Sequence, residues 1–523
     1  MIPVLASAQA RAFDAFVAEQ CSVPSLLLME NAGRAAAEIL HRRLETERAA
    51  ESGKRKAPQR RVIIVCGTGN NGGDGLVVAR QLLGHGHSVQ VLITGGRDAL
   101  TPDARANFDA WRGLGGELRE LGEAELPDAA GSFWSGAHLI VDALFGTGLS
   151  RPLSGRYRAL VDSINATDVE VVSLDIPSGM NADTGAIMGS AVIACLTITF
   201  GHPKAGLLTS AAPDHTGDVV VADLGVPQRL GPALTPRARW FEAADAASWL
   251  EARPRSTHKG RSGRVLVIGG APGKTGAALL AANAALRAGA GLVTIAAFED
   301  AVQSLDARVV EVMTRPIERE RLDASLDAAL ANADAVVIGP GLGQDEVARR
   351  VVDHVVLGGF PGPKVLDADA LNHFAQRAHE LANASGPCLL TPHPAELGRL
   401  LSTGAKEVEA DRFAAMERAV ELTRKAVLLK GPHTLIGELS VPPWVVSEGH
   451  PALASGGSGD VLAGITGALI AALGPLRAGV LGAFVHGRAA RLWVDAHGGA
   501  DRGLFARELA DSVPRALASL LEG

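Results

Sequence analysis

From Arg61 onward, short runs rich in Val, Ile and Leu alternate with longer stretches whose apolar residues recur at helical spacing. That alternation predicts parallel strands joined by crossover helices. In the first half the runs fall at residues 62–66, 89–93, 138–141, 171–174, 196–200 and 219–221, and residues 8–44 ahead of them read as helices. In the second half they fall at 265–268, 291–296, 335–338, 364–366, 388–390 and 427–429, followed by a helical end over 460–521. Between them Pro227, Pro232, Pro236 and Pro254 interrupt any periodicity, so a domain boundary is expected near residues 235 to 250. The loop motifs of the two halves differ, which argues for two distinct α/β domains and against a duplication.

Length and charge fit that division. A chain of 523 residues exceeds the roughly 250 to 300 that one hydrophobic core supports. The net charge of -7, from 50 Lys and Arg against 57 Asp and Glu, gives no pull toward nucleic acid or anionic membrane. Small-molecule partners are expected. The basic cluster Lys54, Arg55, Lys56, Arg60 and Arg61 reads as a solvated loop. Cys21, Cys66, Cys195 and Cys388 form no CxxC pair and no metal-ligand spacing, and no basic segment leads an apolar run at the N-terminus. The most apolar window, 461–485, is broken by Gly474, Pro475 and Arg477, so it predicts two buried helices. A soluble, cytoplasmic protein is expected.

In an open parallel sheet, ligands sit beyond the carboxyl ends of the strands. After the run ending at Cys66 comes Gly67-Thr68-Gly69-Asn70-Asn71-Gly72-Gly73-Asp74-Gly75, a formal GxGxxG. The acidic residue that a dinucleotide-binding dehydrogenase places at the end of its second strand is missing, because that run continues Thr94-Gly95-Gly96. Instead the loop carries Asn70, Asn71 and Asp74, and two further strands end at Asp142 and Asp175. Each aspartate has a plainer reading as a turn or helix cap, but three aligned strand ends favour one shared crevice. The set Glu30-Asn31-Ala32-Gly33, Asn70 to Gly75, Asp142 with Gly146-Thr147-Gly148-Leu149-Ser150-Arg151-Pro152, and Asp175-Ile176-Pro177-Ser178-Gly179 resembles the NAD(P)H-hydrate epimerase domain. The resemblance implies a Rossmann-like three-layer fold that interconverts the R and S hydrates of NADH and NADPH (NADHX and NADPHX). It implies a K+ ion on Asn71, Asp142 and Ser178. Hydrate contacts are implied at Asn70, Asn71, Gly72, Gly73, Asp74, Gly146, Thr147, Gly148, Leu149, Ser150, Arg151, Pro152 and Asp175, with Asp175 as proton-transfer group.

In the second half, Ile268-Gly269-Gly270-Ala271-Pro272-Gly273-Lys274-Thr275 misses a Walker motif by one glycine, since Ile268 stands where the first should be. A turn that lets the next helix pack closely explains it as well. The loop Ser455-Gly456-Gly457-Ser458-Gly459-Asp460 is stronger, because its backbone N–H groups converge at the start of an apolar helix and make an anion site. An acid there can take a proton from a hydroxyl that attacks phosphorus, although Asp460 also suits a simple helix cap. Gly339-Pro340-Gly341-Leu342-Gly343, Asp367-Ala368-Asp369, Thr391-Pro392-His393-Pro394 and Lys430-Gly431-Pro432-His433-Thr434 each follow a strand. Together these motifs resemble the NAD(P)H-hydrate dehydratase branch of the ribokinase-like superfamily. That implies hydrate contacts at Ala277, Gly341, His393 and Asp460, and an adenine nucleotide, ADP with Mg2+, on Lys430, Gly431, Pro432, His433, Thr434 and Gly459.

The expectation is thus an α/β chain of two domains. Residues 1–235 form the epimerase domain and 245–523 the ADP-dependent dehydratase domain, with Asp460 and Asp175 as catalytic acids and a homo-oligomer as the assembly. The rival reading is a small-molecule kinase for a vitamin or sugar, carrying an N-terminal nucleotide-binding module.

Overall fold

The computed structural model describes residues 1–51, 60–121, 134–227 and 235–521. Two compact units divide between Arg237 and Ala238. Their strands are β1 (Ile2–Val4), β2 (Arg61–Cys66), β3 (Ser88–Ile93), β4 (Glu117–Glu120), β5 (Leu139–Ala143), β6 (Glu170–Leu174), β7 (Leu196–Phe200) and β8 (Asp218–Ala222) in the first. The second has β9 (Ala238–Phe241), β10 (Arg264–Ile268), β11 (Leu292–Phe298), β12 (Met313–Ile317), β13 (Ala335–Ile338), β14 (Lys364–Leu366), β15 (Cys388–Leu390), β16 (Ala426–Leu429), β17 (Thr434–Glu438) and β18 (Val441–Val446).

In the N-terminal unit, β2 to β8 make a seven-stranded sheet in the order β4-β3-β2-β5-β6-β7-β8, parallel throughout. Counted from β2, the order runs outward in both directions from a central reversal, the doubly wound Rossmann arrangement. The inner strands are apolar on both faces because both are covered. Val62 and Ile64 pack toward Leu40 and Leu76 of helices Ser25–Glu51 and Asn70–Gly84, while Ile63 and Val65 pack toward Leu160 and Ile164 of helix Gly155–Asn165. The switch point between β2 and β5 is where a crevice must open.

The C-terminal unit is built on the order β9-β18-β17-β16-β15-β14-β13-β10-β11-β12. Its centre is parallel, and β17 is antiparallel to both neighbours. Helices Thr275–Arg287, Ser458–Ala496 and Ala506–Leu521 cover one face with a core that includes Val267, Ile295, Val337, Ile465 and Val485. The long helix has the length and hydropathy of a membrane span. Gly474, at φ 74°, breaks it before Pro475, and residues on both sides of the break are buried in this core. The prediction of two buried helices therefore holds.

The α/β reading and every apolar run named from the sequence recur as strands. Strands β1, β4, β9, β12, β17 and β18 were not expected. β4 reads Glu-Leu-Arg-Glu and is largely exposed at a sheet edge, while β12 is an edge strand holding Pro316, so neither carries the buried apolar signature. β9 and helix Ala243–Trp249 lie in the proline-rich stretch and belong to the C-terminal unit. One reading is corrected. Lys54, Arg55 and Lys56 lie outside the described residues, but Arg60 is buried and Arg61 opens β2, donating to Ser135 O and Gln90 Oε1.

Glycine supplies the closest packing between strand ends. Gly339, at φ 120°, would set a Cβ 1.8 Å from the Asp367 carbonyl oxygen, whereas a Cβ at Gly456 meets nothing within 4 Å. In urea unfolding, Gly339→Ala is expected to destabilise the C-terminal unit by about 3 kcal/mol through overlap and backbone strain. Gly456→Ala should stay within about 0.5 kcal/mol of the parent.

Candidate functional site

In the N-terminal unit a cavity of about 710 Å³ opens over the ends of β2, β5, β6 and β7. Asn70, Asn71, Asp74, Gly146, Thr147, Gly148, Leu149 and Asp175 line it, with Thr68, Asp14, His202 and Lys204. Gly72 and Gly73 do not line it. They are buried in helix Asn70–Gly84, where a Cβ on Gly72 would reach 2.0 Å from the Gly67 carbonyl and one on Gly73 would strike Met29. Ser150, Arg151 and Pro152 are exposed on the far limb of the loop that carries Gly146.

Asp175 takes a left-handed conformation at φ 66°, uncommon for a residue with a side chain. Its Oδ1 pairs with Lys204 Nζ at 2.5 Å and its Oδ2 accepts from Thr147 N at 3.3 Å. Lys204 is 5% exposed and also donates to Thr199 Oγ1 and Phe200 O. A Cβ on Gly146 would sit 2.8 Å from Asp175 Oδ2, so only glycine lets this loop close on the carboxylate. Desolvation raises two carboxyls near it, Asp14 to about 6 and Asp74 well above the ordinary range with Asp175 adding repulsion. Burial, then the Lys204 charge, lowers His202 to about 4. The ends of β2, β6 and β7 thus converge with a helix near the N-terminus on one group of titrating side chains.

Asp142 lies beneath, fully buried. Its Oδ1 accepts from Ser178 Oγ at 2.6 Å and Leu144 N at 3.2 Å, and its Oδ2 from Ser173 Oγ and Ser178 N, each at 2.9 Å. Burial still raises its pKa, with these hydrogen bonds opposing. Asn71 is 8% exposed, and both side-chain polar atoms are buried without a hydrogen-bond partner. An orphaned amide oxygen and a buried carboxylate held by hydroxyls suit a hard cation with oxygen ligands. Asn71, Asp142 and Ser178 therefore fit K+ chemistry.

In the C-terminal unit Lys430 is the hub. Its Nζ lies 2.5 Å from Asp367 Oδ1, which also accepts from Thr391 Oγ1 at 2.8 Å. Burial opposes the lysine charge, but Asp367, Glu396 and Asp460 outweigh it and raise its pKa. Asp460 stands in the first turn of helix Ser458–Ala496, where burial and then Asp367 push it up to about 6 against the pull of Lys430. A Cβ on Gly459 would be 3.3 Å from Lys430 Nζ. Gly341, at φ 60°, packs against Ala277 and Lys274, and Lys274 Nζ lies 3.3 Å from Asp369, itself held by Gly343 N and Gln344. The turn at Gly270 meets Ala278, as the close-packing reading expects.

His393 Nδ1 accepts from Ala395 N and Glu396 N, capping helix Pro394–Leu400, while its exposed Nε2 lies 3.5 Å from Glu396. His433 turns inward, sharing a 2.8 Å hydrogen bond with Ser447 Oγ, and burial lowers it to about 4. Gly431 and Pro432 are exposed, and Thr434 Oγ1 donates to Gly431 O.

Sequence reasoning missed Asp14, His202, Lys204 and Arg412. Lys204 follows the end of β7, so the strand-end rule applied to one more strand would have reached it. Arg412, 1% exposed, donates to the carbonyls of Leu429, Lys430 and His433 from the first residue of the helix that precedes β16, and nothing in its own segment marks it.

Two family models match: YjeF-related protein N-terminus over residues 25–206, and NAD(P)H-hydrate dehydratase over 265–515. The bifunctional NAD(P)H-hydrate repair enzyme of Moorella thermoacetica is 38% identical over 99% of this chain and 97% of its own length. That of Escherichia coli K12 is 37% identical over 87% and 84%. A solved structure, the ADP/ATP-dependent NAD(P)H-hydrate dehydratase from Bacillus subtilis co-crystallized with ATP and Mg2+, is 32% identical, covering 54% of this chain and 99% of that one at a TM-score of 0.47. With a relative matched from end to end and a family model on each unit, this chain belongs to the bifunctional NAD(P)H-hydrate repair enzymes.

Proposed function

We propose that the N-terminal unit interconverts the R and S hydrates of NADH and NADPH, and that the C-terminal unit dehydrates the S form with ADP, giving AMP and phosphate. What supports the division of labour is that each unit gathers its own partly buried acid and a lysine beyond its own strand ends, Asp175 with Lys204 and Asp460 with Lys430. A vitamin or sugar kinase would need only the second.

In the dehydratase site Asp460 takes the proton of the hydrate hydroxyl as its oxygen attacks the β-phosphorus of ADP. AMP leaves, phosphate then departs with the C–O bond electrons, and loss of a ring proton restores the double bond. The N–H groups ahead of Asp460 and the ammonium of Lys430 receive the phosphate charge. Lys430 to Thr434 and Gly459 hold the nucleotide, which enters with Mg2+, while Ala277, Gly341 and His393 meet the hydrate. Arg412 fixes the Lys430 to His433 loop in advance of binding.

In the epimerase site Asp175 is the proton-transfer group and Lys204 positions it. Asp74, biased by burial toward its neutral form, offers an acid in the same cavity. Asn71, Asp142 and Ser178 hold K+, which supplies fixed positive charge for an anionic part of the hydrate. Asn70, Gly146, Thr147, Gly148 and Leu149 shape the pocket, and Ser150, Arg151 and Pro152 lie at its rim.

With R and S hydrates, ADP and Mg2+, recovery of reduced-nicotinamide absorbance checks the assignment; if neither hydrate reacts, it is wrong. Asp460→Asn should slow dehydration by about 10² to 10⁴ while R/S exchange persists. Because Asp460 acts as its carboxylate and titrates at about 6, the dehydration rate should fall tenfold per pH unit below that value and level off above it. Asp175→Asn should slow R/S exchange by about 10² to 10⁴ and leave the S hydrate dehydrated at the parent rate.

A further inference from the structure

His41 and Glu45 lie one turn apart on the same face of helix Ser25–Glu51. Opposite them, the turn that ends helix Asn70–Gly84 carries His85 and His87. Gly86, at φ 86°, reverses the chain there, so that Gly86 N reaches Leu83 O at 2.9 Å and His87 N reaches Leu82 O at 3.1 Å. That reversal points His87 back at the neighbouring helix. His41 Nδ1 lies 3.0 Å from His87 Nε2, and one ligand atom from each of His41, Glu45 and His87 lies within 4.8 Å of the other two. His87 is 4% exposed, and the ring of His85 stacks on His41 with centroids 4.2 Å apart and planes 9° from parallel. None of these side chains lines the cavity of this unit.

We propose that His41, Glu45 and His87 form a binding site for a divalent transition-metal ion of the Zn2+ class, with solvent completing the shell. Imidazole nitrogen joined by one carboxylate oxygen is the donor set that Zn2+, Ni2+ and Cu2+ take. Two nitrogens on a tetrahedral zinc, each bonded at about 2.0 to 2.1 Å, stand roughly 3.3 Å apart. The 3.0 Å between His41 and His87 therefore needs only slight widening, and the ion takes the place of the hydrogen bond between the two rings. Glu45 offsets its charge, and the stacked His85 ring, whose Nε2 lies 4.0 Å from Glu38, walls one side. No reacting group is near, so the ion is structural. It ties together two helices whose N-terminal halves both line the cavity, through Ser25, Leu28 and Met29 on one and Asn70, Asn71 and Asp74 on the other.

The test is titration of chelator-treated full-length protein with Zn2+ against a chromogenic chelator. One equivalent per chain is expected, with a Kd of about 1 μM or below and a Tm that rises with occupancy. His41→Gln and His87→Gln should each weaken binding by about a hundredfold. Co2+ bound to the unmodified protein should give the intense visible absorption of a low-coordinate site, a readout that does not depend on the variants folding. A weak, octahedral-type Co2+ spectrum, no uptake at about 1 mM Zn2+, or affinity unchanged in both variants would overturn the assignment.

Discussion

Each site hangs on a staircase of backbone hydrogen bonds that parallel pairing imposes. In the C-terminal unit, Gly339 N bonds Ile268 O, Asp367 N bonds Ile338 O and Thr391 N bonds Leu366 O, each 3.0 Å, and Lys430 N then bonds Pro392 O at the same distance. Each loop thus leaves its strand at the level set by the strand beside it. In the N-terminal unit Gly67 N bonds Ala143 O, Thr94 N bonds Cys66 O and Asp175 N bonds Ile198 O. A ladder that runs one way collects every carboxyl end along one edge, so side chains far apart in sequence become neighbours without any local signal. Glycine is then required where a loop crosses its neighbour's carbonyl, as at Gly67 over Leu144 O and Gly269 over Pro340 O, both about 2 Å from a hypothetical Cβ.

The second regularity is electrostatic. Each edge carries a lysine drawn 2.5 Å from an aspartate, Lys204 to Asp175 and Lys430 to Asp367, with a further acid close by. A single ammonium cannot hold several desolvated carboxylates in their charged form, so the acids furthest from compensation move upward. In one unit these are Asp14 and Asp74, and in the other Asp460. The outcome is an acid near neutrality beside a fixed pair, the separation of proton affinities that acid and base chemistry draws on.

The strands and their polar ends could be read from the sequence because a strand buried on both faces leaves an unbroken apolar run, and a run closed by Gly, Asn or Asp marks a loop. The runs at 62–66 and 335–338 show this, being buried throughout. Edge strands escaped for the complementary reason, that β4 and β12 bury little and so carry mixed residues. Asp142 and Asp175 could be singled out as strand ends, but their different settings could not. Asp142 is enclosed by four hydrogen bonds and Asp175 by a lysine and a loop amide, and most of these partners lie roughly 30 residues away in sequence. His393 was legible as a loop histidine, yet its capping of the next helix depends on a turn that only coordinates reveal.

A buried cation carries a desolvation cost that its pairing only partly offsets. Lys204 and Arg412 stand in that position and Lys430, with 20% of its side chain exposed, comes close to it; for Arg412 burial lowers the pKa despite Glu409 at 2.8 Å. Packing alone does not require such groups, since an apolar side chain would fill the same space without that cost. Positive charge already stripped of water, with its direction fixed by backbone carbonyls and carboxylates, needs little reorganisation when an anionic ligand arrives. Arg412 contributes to this indirectly: it spends its donors on the carbonyls of Leu429, Lys430 and His433, so the loop that offers Lys430 to a phosphate is held in one shape before the phosphate is there.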